Sequence, residues 1–140
     1  MSDDCLFCRI VEGTAPAPRV YEDDDVVGFL DHHPVFKGHV LLVPRDHVVT
    51  LPDLPERLIV PLFAVAQRTA TAVTAALGAQ GSFVALNNVV SQSVAHLHVH
   101  VVPRTKGDGL RGFFWPRTRY EDDEAERYAE RLRDALGDQP

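Results

Sequence analysis

Between positions 96 and 103 the chain reads His96-Leu97-His98-Val99-His100-Val101-Val102-Pro103, an alternation of imidazole and aliphatic side chains. A period of two belongs to extended backbone, where successive side chains point to opposite faces. The segment from 95 to 102 therefore reads as a strand. His96, His98 and His100 share one face, and Leu97, Val99 and Val101 turn the other way into a core. Neighbouring imidazoles on that face stand roughly 6.5–7 Å apart. Three in a row cannot all be charged at low cost, so at least one is neutral near physiological pH. Neutral imidazole is the form that attacks phosphorus or binds a metal. A lone histidine is usually structural, but packing gives no reason for strict alternation with three aliphatics. Spacing alone leaves open a His-x-His metal site in which the ion activates water.

The rest of the chain supplies elements to house such a strand. Residues 12–18 read as a loop. Residues 19–22 and 26–30 read as short strands joined by the acidic turn Asp23-Asp24-Asp25. Asp31-His32-His33-Pro34 breaks that pattern, since a residue before proline is pushed away from helix. Residues 38–43 form an apolar strand closed by Pro44. Leu58, Leu62, Val65, Ala66, Thr69, Ala72, Val73 and Ala76 keep a helical period across 54–77. Pro55 suits a first turn, Pro61 marks a kink or a fresh start, and Gly78 supplies the stop. Residues 82–88 read as another strand, joined to the histidine strand through Ser91-Gln92-Ser93. A Gly- and Arg-rich stretch runs from 104 to 120. The chain closes with a helix for which Asp122 or Asp123 is the expected cap, and Ala125, Tyr128, Ala129, Leu132 and Leu136 line one face. The order indicates an α+β fold with a mainly antiparallel sheet, one long helix and a C-terminal helix. A length of 140 residues fits a single domain, 1–140, with a C-terminal extension from about residue 104.

Composition narrows the function. A chain 45% hydrophobic and 24% charged is globular rather than disordered. No uninterrupted apolar run approaches membrane-span length, and the acidic start Met1-Ser2-Asp3-Asp4 suits neither a secretory signal nor a mitochondrial presequence. A cytoplasmic location without a membrane partner is expected. The net charge of −6 argues against non-specific binding to a nucleic-acid polymer. Arg104, Lys106, Arg111, Arg117 and Arg119 nevertheless follow the histidines closely. Such a local basic stretch suits a small anion, though each arginine taken singly reads as a solvated side chain. Cys5 and Cys8 are the only cysteines, and their Cys-x-x-Cys spacing in a cytosolic chain suggests metal or redox chemistry.

The segment 96–102 matches His-φ-His-φ-His-φ-φ, with φ apolar, at every position, and Gln92-Ser93-Val94 leads into it. In this the chain resembles the histidine-triad (HIT) family of nucleotide hydrolases and transferases. The resemblance extends to Cys5-x-Phe7-Cys8-x-Ile10, Val20-Tyr21-Glu22-Asp23, Phe29-Leu30-Asp31, and Lys37-Gly38-His39 through Pro44-x-x-His47. It implies that His98 attacks the α-phosphorus of a nucleotide ester, anhydride or phosphoramidate. A nucleotidyl-histidine forms, and water or another acceptor resolves it. The backbone carbonyl of His96 accepts the proton on the other nitrogen of His98 and fixes its tautomer. His100 contacts the phosphate or leaving group.

Further roles follow from the same resemblance. Gln92 and Ser93 lie near the phosphate, where each can donate a hydrogen bond. Asp31 binds the ribose hydroxyls; read from the residues alone it is equally a turn residue. Asn87 or Asn88 touches the substrate. The link Val89-Val90-Ser91 is shorter than the Gly-rich link of many relatives, which alters the phosphate loop. A branch of the family binds zinc through residues matching Cys5, Cys8, His47 and His96, a closed tetrahedral set and so a structural site. His32, His33 and His39 read as solvated or structural. Aromatics and arginines between Arg111 and Arg117 are expected mainly to pack, with a leaving-group pocket as the functional alternative. The family implies a homodimer with a sheet continuous across the interface, and a purine nucleotide as substrate: a dinucleoside polyphosphate, a phosphoramidate or adenylylsulfate.

Overall fold

The computed structural model describes residues 4–110 and 117–137. Its body is a five-stranded sheet in the order β1-β2-β3-β5-β4, with every neighbouring pair antiparallel. The strands are β1 (Arg19–Glu22), β2 (Val26–Leu30), β3 (Val40–Pro44), β4 (Gly81–Ala85) and β5 (Val99–Arg104). Helix α1 (Leu6–Glu12) lies near the N-terminus, α2 (Ile59–Leu77) between β3 and β4, and α3 (Glu124–Gly137) near the C-terminus. The architecture is the α+β arrangement expected. Residues 1–108 and 109–140 form separate compact units, with the sheet, α1 and α2 in the first and α3 in the second.

Each central strand has two apolar faces, which is why β2 and β3 read as nearly continuous hydrophobic runs. On one face Val26, Val40, Leu42, Leu97, Val99 and Val101 pack with Leu62, Val65, Ala66 and Val73 of α2. On the other, Val27, Phe29, Leu41 and Val43 pack with Cys5, Phe7, Cys8 and Ile10 from α1 and its cap. The histidines fall on this second face. The residues from 56 to 77 have the length and composition of a membrane span. Their apolar stripe is core, however, with Leu58, Leu62, Val65 and Val73 buried against the sheet.

Several boundaries moved. The histidine strand starts at Val99 rather than Ala95, because Leu97 N–H donates outside the ladder to the carbonyl of Val48 at 2.7 Å. The expected helix over 54–77 splits: short 3₁₀ turns occupy 51–53 and 56–58, and α2 starts at Ile59. Pro61 then sits in the first turn, where its missing N–H costs nothing, so it marks the fresh start rather than a kink. Gly78 ends α2 with a φ of 72°, as expected. Helix α1 was not foreseen. Its cap is Cys5, whose Sγ accepts the N–H of Cys8 at 3.3 Å, and Gly13 closes it at a φ of 87°. At α3 neither Asp122 nor Asp123 caps through its side chain as expected. The Glu124 carboxylate takes the N–H of Glu121, and Asp123 pairs with Arg127 one turn on. Tyr128, Leu132 and Leu136 of α3 are exposed.

Leu62 is fully buried where α2 meets the sheet. Leu62→Ala removes that contact and leaves a cavity, so it should lower unfolding free energy by about 2–5 kcal/mol in a denaturant titration.

Candidate active site and metal centre

Leu97, Val99 and Val101 are wholly buried on the α2 face, so the alternating histidines must face α1. Each ring is held by a different backbone or side-chain partner. His96 lies 2.8 Å from the carbonyl oxygen of Pro44 through Nε2, so its Nε2–H donates and its Nδ1 keeps a lone pair. His98 lies 2.8 Å from the carbonyl oxygen of His96 through Nδ1, so there the assignment reverses and the lone pair sits on Nε2. The ring of Phe7 stands edge-to-face on His98 with centroids 5.1 Å apart, and the centroid of the His100 ring lies 5.0 Å from that of His98. These contacts leave His98 only 3% exposed, yet it lines the floor of a cleft of about 420 Å³. That volume lies in the range that takes small organic ligands.

The cleft is walled by Leu6, Phe7, Pro18 and Phe29, apolar groups that can flank a base or sugar, and by Asp31, Ser93 and His100. Asp31 is a turn residue that also lines the cleft. Its Oδ1 accepts the N–H of His33 at 2.9 Å, the mark of a turn residue, while its carboxylate also faces the cleft. A roomier groove of about 780 Å³ lies on the α2 side between β1, β2 and the helix. It holds no histidine or cysteine, so chemistry rather than volume selects the cleft around His98.

The 87–92 loop does not bring its polar side chains to the cleft. Asn88 Oδ1 accepts the N–H of Leu51, and Asn87 Nδ2 donates to the carbonyl of Ser91. Gln92 Nε2 donates to the carbonyl of Val49 at 2.6 Å, and its Oε1 accepts the N–H of Val89. These side chains bind the loop to itself and to residues 49–51; Ser93 alone of the expected loop residues lines the cleft. The short link forces Val89 and Ser91 into left-handed backbone, at φ of 69° and 63°. For a β-branched valine that conformation is costly. Arg104 makes two hydrogen bonds to Asp108 rather than facing the cleft, Lys106 is exposed, and Arg117 and Arg119 are exposed. Arg111 and the aromatics through Pro116 lie outside the described residues.

Of the two readings of His39, solvated or structural, the structural one holds: it is buried beside His100, a partner the sequence does not indicate, with Nε2 and His100 Nδ1 2.9 Å apart. The N–H of Val35 donates to His39 Nδ1 at 3.1 Å, and the Asp31 carboxylate lies 3.8 Å from the same nitrogen. The preceding Gly38 has a φ of 96°, and a Cβ there would lie 2.5 Å from Leu77. Glycine is therefore needed to turn the chain so that His39 enters from β3. The signal was present as Lys37-Gly38-His39, but nothing in its spacing points to a partner 61 residues away. His32 and His33 are exposed, as expected.

Burial shapes the charge states. It pushes His100 down to about 4, with His98 and His39 adding to the effect, and it lowers His39 as well. His96, the most enclosed ring, is also pushed down to about 4 by burial. His39 and His100 are therefore neutral at physiological pH, which the close approach of their rings requires.

Beside the cleft, on the same side of the sheet, Cys5, Cys8, His47 and His96 bring one ligand atom each to within 4.8 Å of one another. Cys8 Sγ lies 3.2 Å from His47 Nδ1 and 3.5 Å from His96 Nδ1, and Cys5 Sγ lies 3.4 Å from His96 Nδ1. Zn–S near 2.3 Å and Zn–N near 2.0–2.1 Å place tetrahedral ligand atoms roughly 3.3–3.8 Å apart, so the cluster has the size of a metal site. The two thiols are reduced, and the Pro44 carbonyl holds His96 in the tautomer that turns its Nδ1 lone pair inward. The donor set and its spacing fit a tetrahedral metal with no open position.

Comparison with known proteins agrees with this geometry. A model of the HIT domain matches residues 12–107. An uncharacterised HIT-like protein of Mycobacterium tuberculosis is 37% identical over 96% of this chain and 94% of its own length. The adenosine 5'-monophosphoramidase of Schizosaccharomyces pombe is 31% identical over 80% of this chain and 83% of its own. The crystal structure of a zinc-bound histidine triad family protein from Mycobacterium smegmatis superposes with a TM-score of 0.74. It is 39% identical over 95% of this chain and 97% of that one. The chain belongs to the HIT family.

The depressed pKa of His100 sets an acid limit on stability. A folded value near 4 against 6.5 unfolded means that the unfolded chain binds the proton more tightly. The associated stability is whole above pH 6.5 and is lost as pH falls from there towards 4. In denaturant titrations across that window, His100→Asn should shallow the acid slope by up to one proton relative to wild type.

Proposed function

We propose that this protein hydrolyses a nucleoside-phosphoryl bond, with Nε2 of His98 as the nucleophile. The bond from His98 Nε2 to the α-phosphorus forms as the bond from phosphorus to the leaving group breaks. Water then cleaves the nucleotidyl-histidine and releases a nucleoside monophosphate. One difficult displacement becomes two easier ones. The observation that carries the reading is the 2.8 Å hydrogen bond from His98 Nδ1 to the His96 carbonyl. It keeps the lone pair on the nitrogen that faces the cleft, and it stabilises the ring when Nε2 becomes bonded to phosphorus and the imidazole turns cationic.

In this reading Asp31 accepts the ribose hydroxyls and Ser93 donates to a phosphoryl oxygen, supported by their both lining the cleft that His98 lines. The substrate is a purine nucleotide with a phosphoramidate, sulfate or polyphosphate leaving group. The activity named for the fission-yeast relative favours the first class. The protein acts as a homodimer. A nucleotidyltransferase would share the intermediate and differ only in the acceptor, so product analysis with competing phosphate separates the two. His98→Ala should reduce release of adenosine monophosphate from an adenosine phosphoramidate, adenylylsulfate or diadenosine polyphosphate panel at least about 10³-fold. Nucleotide binding, measured by calorimetry, should persist. Turnover surviving in the variant would remove the covalent mechanism.

Zinc is the metal that the Cys5, Cys8, His47 and His96 set would hold, in a structural role. A closed site of this kind ties α1 to the segment that carries His98 and supplies folding free energy. Elemental analysis should find zinc in the purified wild type near one equivalent per chain and close to none in Cys5→Ser/Cys8→Ser. The double variant should also melt at a lower temperature. Zinc retained in full by that variant would move the site elsewhere.

A further inference from the structure

We infer that His39 is a positioning residue that locks His100 in the tautomer presenting an N–H, not a lone pair, to the substrate. The argument starts from a backbone amide. The N–H of Val35 donates to Nδ1 of His39 at 3.1 Å, and an amide proton does not move. That nitrogen is therefore an acceptor and carries no hydrogen. The Asp31 carboxylate is 3.8 Å from it, too far to make it a donor instead. In the neutral ring the hydrogen of His39 then resides on Nε2, which lies 2.9 Å from Nδ1 of His100. His39 donates there and His100 accepts. The single hydrogen of a neutral His100 is left on Nε2.

His39 is buried and His100 half-buried, and burial lowers the pKa of both, so the neutral forms define the resting state. His98 and His100 then carry complementary edges on one cleft wall: a bare nitrogen on the first and an N–H on the second. His98 Nε2 can attack phosphorus while His100 Nε2–H meets the negative charge on a phosphoryl or leaving-group oxygen. Had His100 taken the other tautomer, its lone pair would face that oxygen and repel it. The chain of hydrogen bonds ends on a peptide group, so His39 sets an orientation and does not relay a proton. The same bonds occupy both nitrogens of His39, which favours this reading over a metal site at Asp31, His39 and His100, whose ligand atoms also lie within 4.8 Å. The role given to the His100 N–H rests on the proposed nucleophile; the tautomer itself does not.

Long-range ¹H–¹⁵N correlation spectra of the ¹⁵N-labelled, substrate-free protein near pH 7.5 assign the proton on each ring. His100 should be protonated at Nε2 and bare at Nδ1. His39→Gln keeps a donor at the Nε2 position, so it should keep this pattern and stay within about tenfold of wild-type kcat. His39→Glu offers an acceptor. It should move the His100 proton to Nδ1 and lower kcat by about 10²-fold, the loss expected for one transition-state donor, with KM changed much less. A wild-type spectrum with the His100 proton on Nδ1 overturns the inference, as does a folded His39→Glu that turns over like His39→Gln. If His39→Glu does not fold, the wild-type and His39→Gln spectra decide. His98→Ala separately tests the nucleophile, so either reading can fail while the other stands.

Discussion

Burial of Leu97, Val99 and Val101 beneath α2 decides where the three alternating imidazoles go. Once those aliphatics are committed to one face of the sheet, His96, His98 and His100 are committed to the other. Each fully buried aliphatic contributes about 1.5–3 kcal/mol, so a register slip that exchanged the faces would lose the core and the site together. Sidedness alone does not orient a ring. That is done by main-chain groups: the Pro44 carbonyl for His96, the His96 carbonyl for His98 and, through His39, the Val35 amide for His100. Peptide groups are well suited to the task because they cannot change protonation state.

The Cys/His cluster and the cleft around His98 share this face. His96 turns Nδ1 towards Cys5, Cys8 and His47, and gives its carbonyl to His98. One residue thus joins the Cys/His cluster to His98, the proposed nucleophile, through its own backbone. Helix α1 closes the arrangement from above. Its cap supplies Cys5, its first turn supplies the buried Cys8, and Phe7 between them packs on both His96 and His98. The short 87–92 loop gives up its polar side chains to hold its own strained shape. The polar side chains that line the cleft, among the described residues, include instead those of Asp31, Ser93, His98 and His100.

The elements legible in the sequence were those with strong local signals. β1 and β2 follow from two short segments, the second an apolar run, on either side of an acidic turn, the end of α2 from Gly78, and the sidedness of the histidines from period-two spacing. Helix α1 was hidden because Cys5-x-x-Cys8 draws attention to ligand chemistry, while Phe7, Ile10 and Val11 already stand at helical spacing ahead of Gly13. The start of the histidine strand was misplaced because a hydrogen bond to Val48, made through the tertiary fold, replaces a ladder bond at Leu97. Asn87, Asn88 and Gln92 suggested donors to substrate, but no sequence pattern reveals that these side chains bond their own loop and residues 49–51. His39 was invisible for the complementary reason: its partner lies on a strand paired across the sheet.

The nucleophile is tested most directly by where phosphorus ends up on the ring. Rapid acid-free quenching with excess substrate, followed by ³¹P NMR and peptide mass spectrometry of the trapped adduct, locates the nucleotidyl group atom by atom. The account predicts a phosphoramidate at Nε2 of His98. An adduct at Nδ1, or on any other residue, would contradict it.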